Sequence, residues 1–256
     1  MNVTRALVRR PSPRLAEGIV THIDRQPVNF DKAMIQWDGY VDALCQAGWD
    51  IVDVLAAPDC PDSVFVEDTM LVYRDIAVMA RPGADSRKPE VAAAEQAIRS
   101  YGYTIHRITA PATFDGGDAL KVADTIYVGL GGRTTAAAID QLRAIFRWIG
   151  VTIVPVPLSK VLHLKSAVTA LPDGTIIGWP PLVSDTSLFP TFLAVPEESG
   201  AHVVVLDEDV VLMSDDCPKS AELFRSFGYD TVCVNISEFI KLEGCVTCLS
   251  VRLRPW

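Results

Sequence analysis

Gly102-Tyr103-Thr104-Ile105-His106-Arg107-Ile108 ends an amphipathic helix and opens a β-rich run, and the chain uses this pattern four times. The helix before it opens at Pro89, a residue suited to a first turn, and three- and four-residue spacing sets Val91, Ala94, Ile98 and Tyr101 on one face. Toward the N-terminus, Met34, Trp37, Val41 and Leu44 predict a helix that stops at Gly48 and leads into Trp49-Asp50-Ile51-Val52-Asp53-Val54-Leu55. Toward the C-terminus, Thr134 reads as an N-cap for a helix carrying Ile139, Leu142, Ile145, Phe146 and Ile149, with an exit through Gly150-Val151-Thr152-Ile153-Val154-Pro155-Val156. A fourth helix around Ala221, Phe224 and Phe227 exits through Gly228-Tyr229-Asp230-Thr231-Val232-Cys233-Val234. Each glycine falls where a left-handed residue ends a helix. The recurrence predicts βαβ-like modules of about 50 residues. Thr191 to Met213 holds two strand-like runs, Val203–Leu206 and Asp209–Met213, without a long helix, and is expected to be a degenerate fifth module. No low-complexity linker divides the modules, so residues 1–256 are expected to form a single domain.

Composition narrows the function class. The 256 residues are 49% hydrophobic and 21% charged, enough for a large core, and no uncharged apolar run is long enough to span a membrane. Met1-Asn2-Val3-Thr4-Arg5-Ala6-Leu7-Val8 has no long apolar region and reads as a first strand rather than a signal peptide. A net charge of −9 argues against nucleic acid and anionic membrane as partners and suits a small cationic substrate. The six cysteines show no disulfide framework, which places the protein in the cytoplasm. Cys45, Cys60, Cys217, Cys233 and Cys245 have no His paired with them in sequence, so no structural zinc site is expected.

Chemically capable residues sit at the same phase of successive modules. Asp62-Ser63-Val64-Phe65-Val66-Glu67-Asp68 follows the first, Phe114-Asp115-Gly116-Gly117-Asp118 the second and Leu162-His163-Leu164-Lys165 the third. The fourth is followed by Glu243-Gly244-Cys245-Val246-Thr247-Cys248-Leu249-Ser250-Val251-Arg252-Leu253, which mounts the Cys248 thiol on the shoulder of a C-terminal strand. Modules around a common axis bring such positions to one centre. Taken singly each motif has an ordinary reading: acids and Gly-Gly pairs make turns, and a Cys or His in an apolar run is a core residue. His22, His106 and His202 keep that reading. Asp115-Gly116-Gly117-Asp118 has neither the lysine nor the spacing of a phosphate-binding loop.

As a set, Phe65-Val66-Glu67-Asp68, Arg81-Pro82-Gly83-Ala84, Asp115-Gly116-Gly117-Asp118, Leu162-His163-Leu164-Lys165-Ser166 and Thr247-Cys248-Leu249-Ser250 resemble, in order and spacing, the dimethylarginine dimethylaminohydrolase family. The resemblance runs from the first strand to the C-terminus. It implies the pentein α/β-propeller, with five ββαβ modules around a pseudo-fivefold axis and the active site at its centre. It also implies hydrolysis of Nω-methylated arginine to citrulline and a methylamine, without metal or cofactor. Cys248 matches the nucleophile, His163 the acid and base, and Asp115 the acid that orients His163, where some relatives carry Glu. Glu67 and Asp68 match residues around the guanidinium. Asp62, with backbone carbonyls near Ile19 and Leu242, matches the site of the α-amino group, and Arg87 and Arg133 match the clamp on the α-carboxylate. Arg133 also stands beside a helix N-terminus, a place that favours a carboxylate. Gly18-Ile19-Val20-Thr21-His22 resembles the mobile lid. The Cys-His pair offers zinc a place to bind as an inhibitor.

Two other functions remain open at this level. Arginine deiminase or amidinotransferase activity shares the Cys-His-acid logic, though the wording of the His and Cys motifs favours the dimethylarginine enzyme. A non-catalytic pentein-fold binding protein would lack the nucleophile or the histidine, and both are present. Oligomeric state is not legible, a homodimer being one assembly open to the chain.

Overall fold

The computed structural model describes residues 3–255, so Met1 and Asn2 of the expected first strand lie outside the described residues. Strand β1 (Arg5–Val8) is followed by helix α1 (Phe30–Gln46) and by β2 (Asp50–Asp53), which pairs parallel to β1. The same unit recurs with an antiparallel strand added in front. In the second module β3 (Met70–Tyr73) and β4 (Ile76–Met79) pair antiparallel, and α2 (Glu90–Ile98) carries the chain over to β5 (Thr104–Arg107), parallel to β4. The third repeats this with β6 (Ala119–Val122), β7 (Thr125–Leu130), α3 (Ala136–Phe146) and β8 (Thr152–Pro157). A fourth sheet is made of β9 (Val168–Ala170), β10 (Ile176–Gly178) and β11 (Phe192–Ala194). The fifth holds β12 (Val203–Val205), β13 (Val210–Ser214), α4 (Pro218–Ser226) and β14 (Asp230–Val234). A short α5 (Ser237–Ile240) then leads to β15 (Val251–Leu253), which pairs antiparallel with β1 and completes the first module. The first module is thus split between the two ends of the chain, which ties the Cys248 turn to the N-terminal strand.

The predicted helix stops hold: Gly48, Gly102, Gly150 and Gly228 all have φ between +73° and +93°, a conformation open to glycine without strain. Apolar faces turn inward as the spacing requires. Trp37, Tyr40 and Leu44 of α1 and Leu142 and Phe146 of α3 are buried, each such side chain contributing about 2 kcal/mol.

Two local expectations need correction. The degenerate module is β9 to β11, not Thr191 to Met213; the runs at 203–206 and 209–213 are the antiparallel pair of the fifth module, complete with α4. In the fourth module a single turn, Thr186–Leu188, replaces the helix, because Pro180, Pro181 and Pro190 deny helical hydrogen bonds. Thr135, rather than Thr134, occupies the N-cap of α3, and the Thr134 hydroxyl donates to Asp118 instead.

Among the described residues no helix is long and apolar enough to cross a membrane. Modules two to five each lead into their first strand through a tight turn, at Val66–Thr69, Gly116–Asp118, Leu164–Ser166 and Ser199–Ala201. Cys248 holds the matching place before β15.

Candidate active site

The turns preceding the strands meet at one pocket. Its walls include Ile19, Asp62, Asp68, Arg87, Arg133, His163, Leu242 and Cys248. The open space is about 10 Å³, room for a single water, so a wall must move before a larger ligand enters. Ile19 brings the 18–22 segment to one side of this pocket. Thr21 and His22 donate backbone N–H groups to the Glu243 carboxylate at 2.5 and 2.9 Å, and Ile19 N–H donates to Asp62 Oδ1 at 2.9 Å.

His163 is buried, with Nε2 2.9 Å from Asp115 Oδ2 and Nδ1 3.7 Å from Asp68 Oδ1. Burial alone would lower its pKa, but Asp68, the Asp115 hydrogen bond and Asp118 raise it to about 9, so the ring is an imidazolium at neutral pH. Asp115 lies behind the ring, its other oxygen accepting the Gly83 N–H at 2.8 Å. Asp68 accepts the Gly117 N–H at 2.9 Å and pairs with Arg87 Nη1 at 2.5 Å. Burial pushes the Asp68 pKa up, yet the His163 and Arg87 charges outweigh it and hold the carboxylate ionised. Burial raises the Asp62 pKa, an effect that Arg87 and the Ile19 N–H partly offset.

Arg87 is fully engaged, pairing with both Asp68 and Glu90 and donating to the carbonyls of Asp62 and Phe65. Arg133 is only partly buried and lies against Gly83, where any Cβ would come within 2.7 Å of the Arg133 carbonyl. Among the described residues no group of three or more His, Cys, Asp or Glu converges to hold a metal ion.

Comparison with known proteins places this geometry in context. No family model matches the chain. The dimethylarginine dimethylaminohydrolase of Streptomyces coelicolor is 59% identical over 98% of this chain and 97% of its own length. The chain belongs to the dimethylarginine dimethylaminohydrolase family. The Pseudomonas aeruginosa member is 34% identical over 96% of this chain and 98% of its own length. A solved structure of a mutant of that P. aeruginosa enzyme, complexed with citrulline, superposes with a TM-score of 0.91 over 99% of this chain and 100% of its own. A second dimethylarginine dimethylaminohydrolase structure, an adduct with S-methyl-L-thiocitrulline, also superposes at 0.91, with 31% identity and the same coverage of both chains. The N-terminal domain of an arginine dihydrolase superposes at 0.86 with 20% identity, which speaks to fold alone. The pentein expectation, five modules of which the fourth has lost its helix, therefore holds for this member of the family.

Of the residues singled out in sequence, Cys248, His163, Asp62, Asp68, Arg87, Arg133, Ile19 and Leu242 line the pocket, and Asp115 supports it from behind. Glu67 does not line it. It lies in an adjoining cavity, its Oε1 bound by Lys165 at 2.6 Å and by Arg252, and its N–H donates to the Cys248 carbonyl at 3.2 Å. Arg252 in turn donates to the carbonyls of Thr247 and Ser250, so Glu67 fixes the Cys248 turn from below.

Three positioning features escaped the sequence reading. Asp118 binds the Leu164 N–H at 3.0 Å and the Thr134 hydroxyl at 2.5 Å, anchoring the His163 turn, and burial pushes its pKa up to about 7. Gly117 is obligatory, since a Cβ there would lie 2.8 Å from His163 Nδ1 and closer still to Asp68. Finally, Cys245 Sγ lies 3.4 Å from Cys248 Sγ. That hydrogen bond pulls the Cys245 pKa down and, together with burial, pushes that of Cys248 well above the ordinary thiol value. The signal was present in the chain as the C-x-x-C spacing of Cys245-Val246-Thr247-Cys248, and His202, set aside in the sequence, is a further neighbour that favours the Cys245 thiolate.

Proposed function

We propose that this chain, as one catalytic domain over residues 1–256, hydrolyses Nω-methylated arginine to citrulline and a methylamine through a covalent intermediate on Cys248. The observation that carries the reading is the meeting, in one closed pocket, of a thiol, an imidazole backed by a carboxylate, and acids and an arginine spaced for the two ends of an amino acid. Family membership supports it, since the relatives are named for this activity and one holds citrulline.

A guanidinium is a resonance-stabilised cation that water attacks poorly, and a thiolate divides the reaction into two easier steps. Resting Cys248 holds its proton; as the substrate cation arrives, a positive charge beside the sulfur favours the thiolate, and the proton passes to solvent, from which the released dimethylamine regains it as dimethylammonium. Sγ then adds to the guanidinium carbon while Asp68 holds the nitrogens. His163, already protonated, gives its proton to the departing dimethylamine as the C–N bond breaks, leaving an amidino-thioether. Water adds next, giving a proton to His163; the C–S bond breaks, citrulline leaves and Cys248 is regenerated. Asp62, with carbonyls near Ile19 and Leu242, takes the α-ammonium. Arg133 carries the larger share of the α-carboxylate, because Arg87 already balances Asp68 and Glu90. Cysteine usage supports a reducing, cytoplasmic setting for such a nucleophile.

Citrulline release from asymmetric dimethylarginine and from unmethylated arginine, with Cys248→Ser and His163→Ala as controls, tests this. Release from the methylated substrate that both variants lose is expected. Release mainly from arginine would replace the reading with a deiminase, and silence on both substrates would refute it.

A further inference from the structure

The Cys245–Cys248 pair offers chemistry that the hydrolytic cycle does not use. Both thiols are buried, but they face different spaces. Cys248 lines the substrate pocket, whereas Cys245 forms the floor of a separate cavity of about 310 Å³ lined also by His22, Lys160, Glu198 and His202. His22, Lys160 and Glu198 at its rim are exposed, so this cavity opens to solvent on its own side, between the 18–22 segment and the Lys160 and Glu198 loops.

We propose that Cys245 is a site of oxidation by hydrogen peroxide, and that its oxidised sulfur is captured by Cys248 as a reversible disulfide that silences the nucleophile.

The backbone is arranged for this closure. The Cys248 N–H donates to the Cys245 carbonyl at 3.1 Å, closing a tight turn that puts the sulfurs 3.4 Å apart, so bonding needs about 1.4 Å of approach, within reach of side-chain rotation. Cys245 also has the character of an attacking thiol: the Cys248 hydrogen bond favours its thiolate, and the neighbouring His202 and a hydrogen bond with the Thr247 hydroxyl assist. The Cys245 thiolate attacks one peroxide oxygen, the O–O bond breaks, and hydroxide leaves as water after taking a proton. Cys248 sulfur then attacks the Cys245 sulfenic sulfur, losing its proton; the S–O bond breaks and the second oxygen leaves as water. Each sulfur loses one electron to the peroxide, whose two oxygens end as two waters, and a dithiol reverses the change. Cys248 in the disulfide can no longer attack a guanidinium.

Reduced wild-type protein treated with hydrogen peroxide, then assayed for free thiols under denaturing conditions, peptide mass and citrulline release, tests the proposal. Expected are the loss of two thiols, a peptide joining Cys245 to Cys248, loss of activity and its return with dithiothreitol. Cys245→Ser and Cys245→Ala, each compared with its own untreated activity, should keep activity at peroxide doses that silence wild type, because the remaining Cys248 thiol is protonated and faces the closed pocket. Absence of the joined peptide, or loss of activity in the variants equal to that of wild type, would overturn it. The thiol count and peptide mass do not rest on the proposed reaction, so failure of that reading and failure of the disulfide are told apart.

Discussion

Gly117→Ala tests whether the site depends on a close approach of backbone to two functional side chains. A Cβ at this position would lie 2.8 Å from His163 Nδ1 and 2.9 Å from its Cγ, and nearer still to Asp68 Oδ1. Ordinary van der Waals contact begins at 3.4 Å, so the imidazole must retreat by about 0.6 Å and Asp68 by more. Neither is a free-ended surface chain: His163 is bound to Asp115, and Asp68 to Arg87. Misplacement of reacting groups by about 1 Å costs roughly 10²-fold in rate, which sets the expected fall in kcat for citrulline release. Overpacking adds a destabilisation of about 1–3 kcal/mol, readable as a lower urea midpoint. Gly39→Ala is the control. It lies within α1 with nothing inside 4 Å of the added carbon, and should leave kcat unchanged while stabilising by about 0.5–1 kcal/mol. A folded Gly117→Ala protein with kcat within about threefold of wild type would refute the argument that this approach positions His163.

Stability should fall as pH rises through about 9. The folded-state pKa of His163 is raised from 6.5 to about 9, so its contribution, about 3 kcal/mol, is full below pH 6.5 and lost as pH climbs through the folded value. Urea midpoints across that window should drop in wild type and much less in His163→Gln; a flat wild-type curve would contradict the raised value. Arg252→Met should destabilise by about 3–5 kcal/mol, because it leaves the Glu67 charge to Lys165 alone and strips donors from the Thr247 and Ser250 carbonyls. Equilibrium unfolding checks this, and a loss under about 1 kcal/mol would show that Glu67 and Arg252 do not hold the Cys248 turn.

How far the chain could be read from its residues follows from which forces are local. Helix stops at Gly48, Gly102, Gly150 and Gly228 were legible because a left-handed residue is a local requirement with a distinctive residue type. The motifs bearing Cys248, His163, Asp115, Asp62 and Asp68 were legible because each sits in a short turn whose order along the chain is the order of the modules. What was not legible depends on partners far away in sequence. The helix-free module was misplaced because strand runs at 203–206 and 209–213 look alike whether or not a helix follows, and only pairing assigns them. Glu67 and Asp68 are neighbours in the chain, yet the tight turn at Val66–Thr69 sends one carboxylate beneath the thiol and the other into the pocket. Likewise Arg87 acquires its partners, and Cys245 its own cavity, only when turns from separate modules meet. Sequence alone determined the repeat and the kinds of chemistry available, since these follow from periodicity and residue type. Tertiary structure decided which charges face the pocket and which face one another, because Coulomb and hydrogen-bond energies depend on distances that local sequence does not contain.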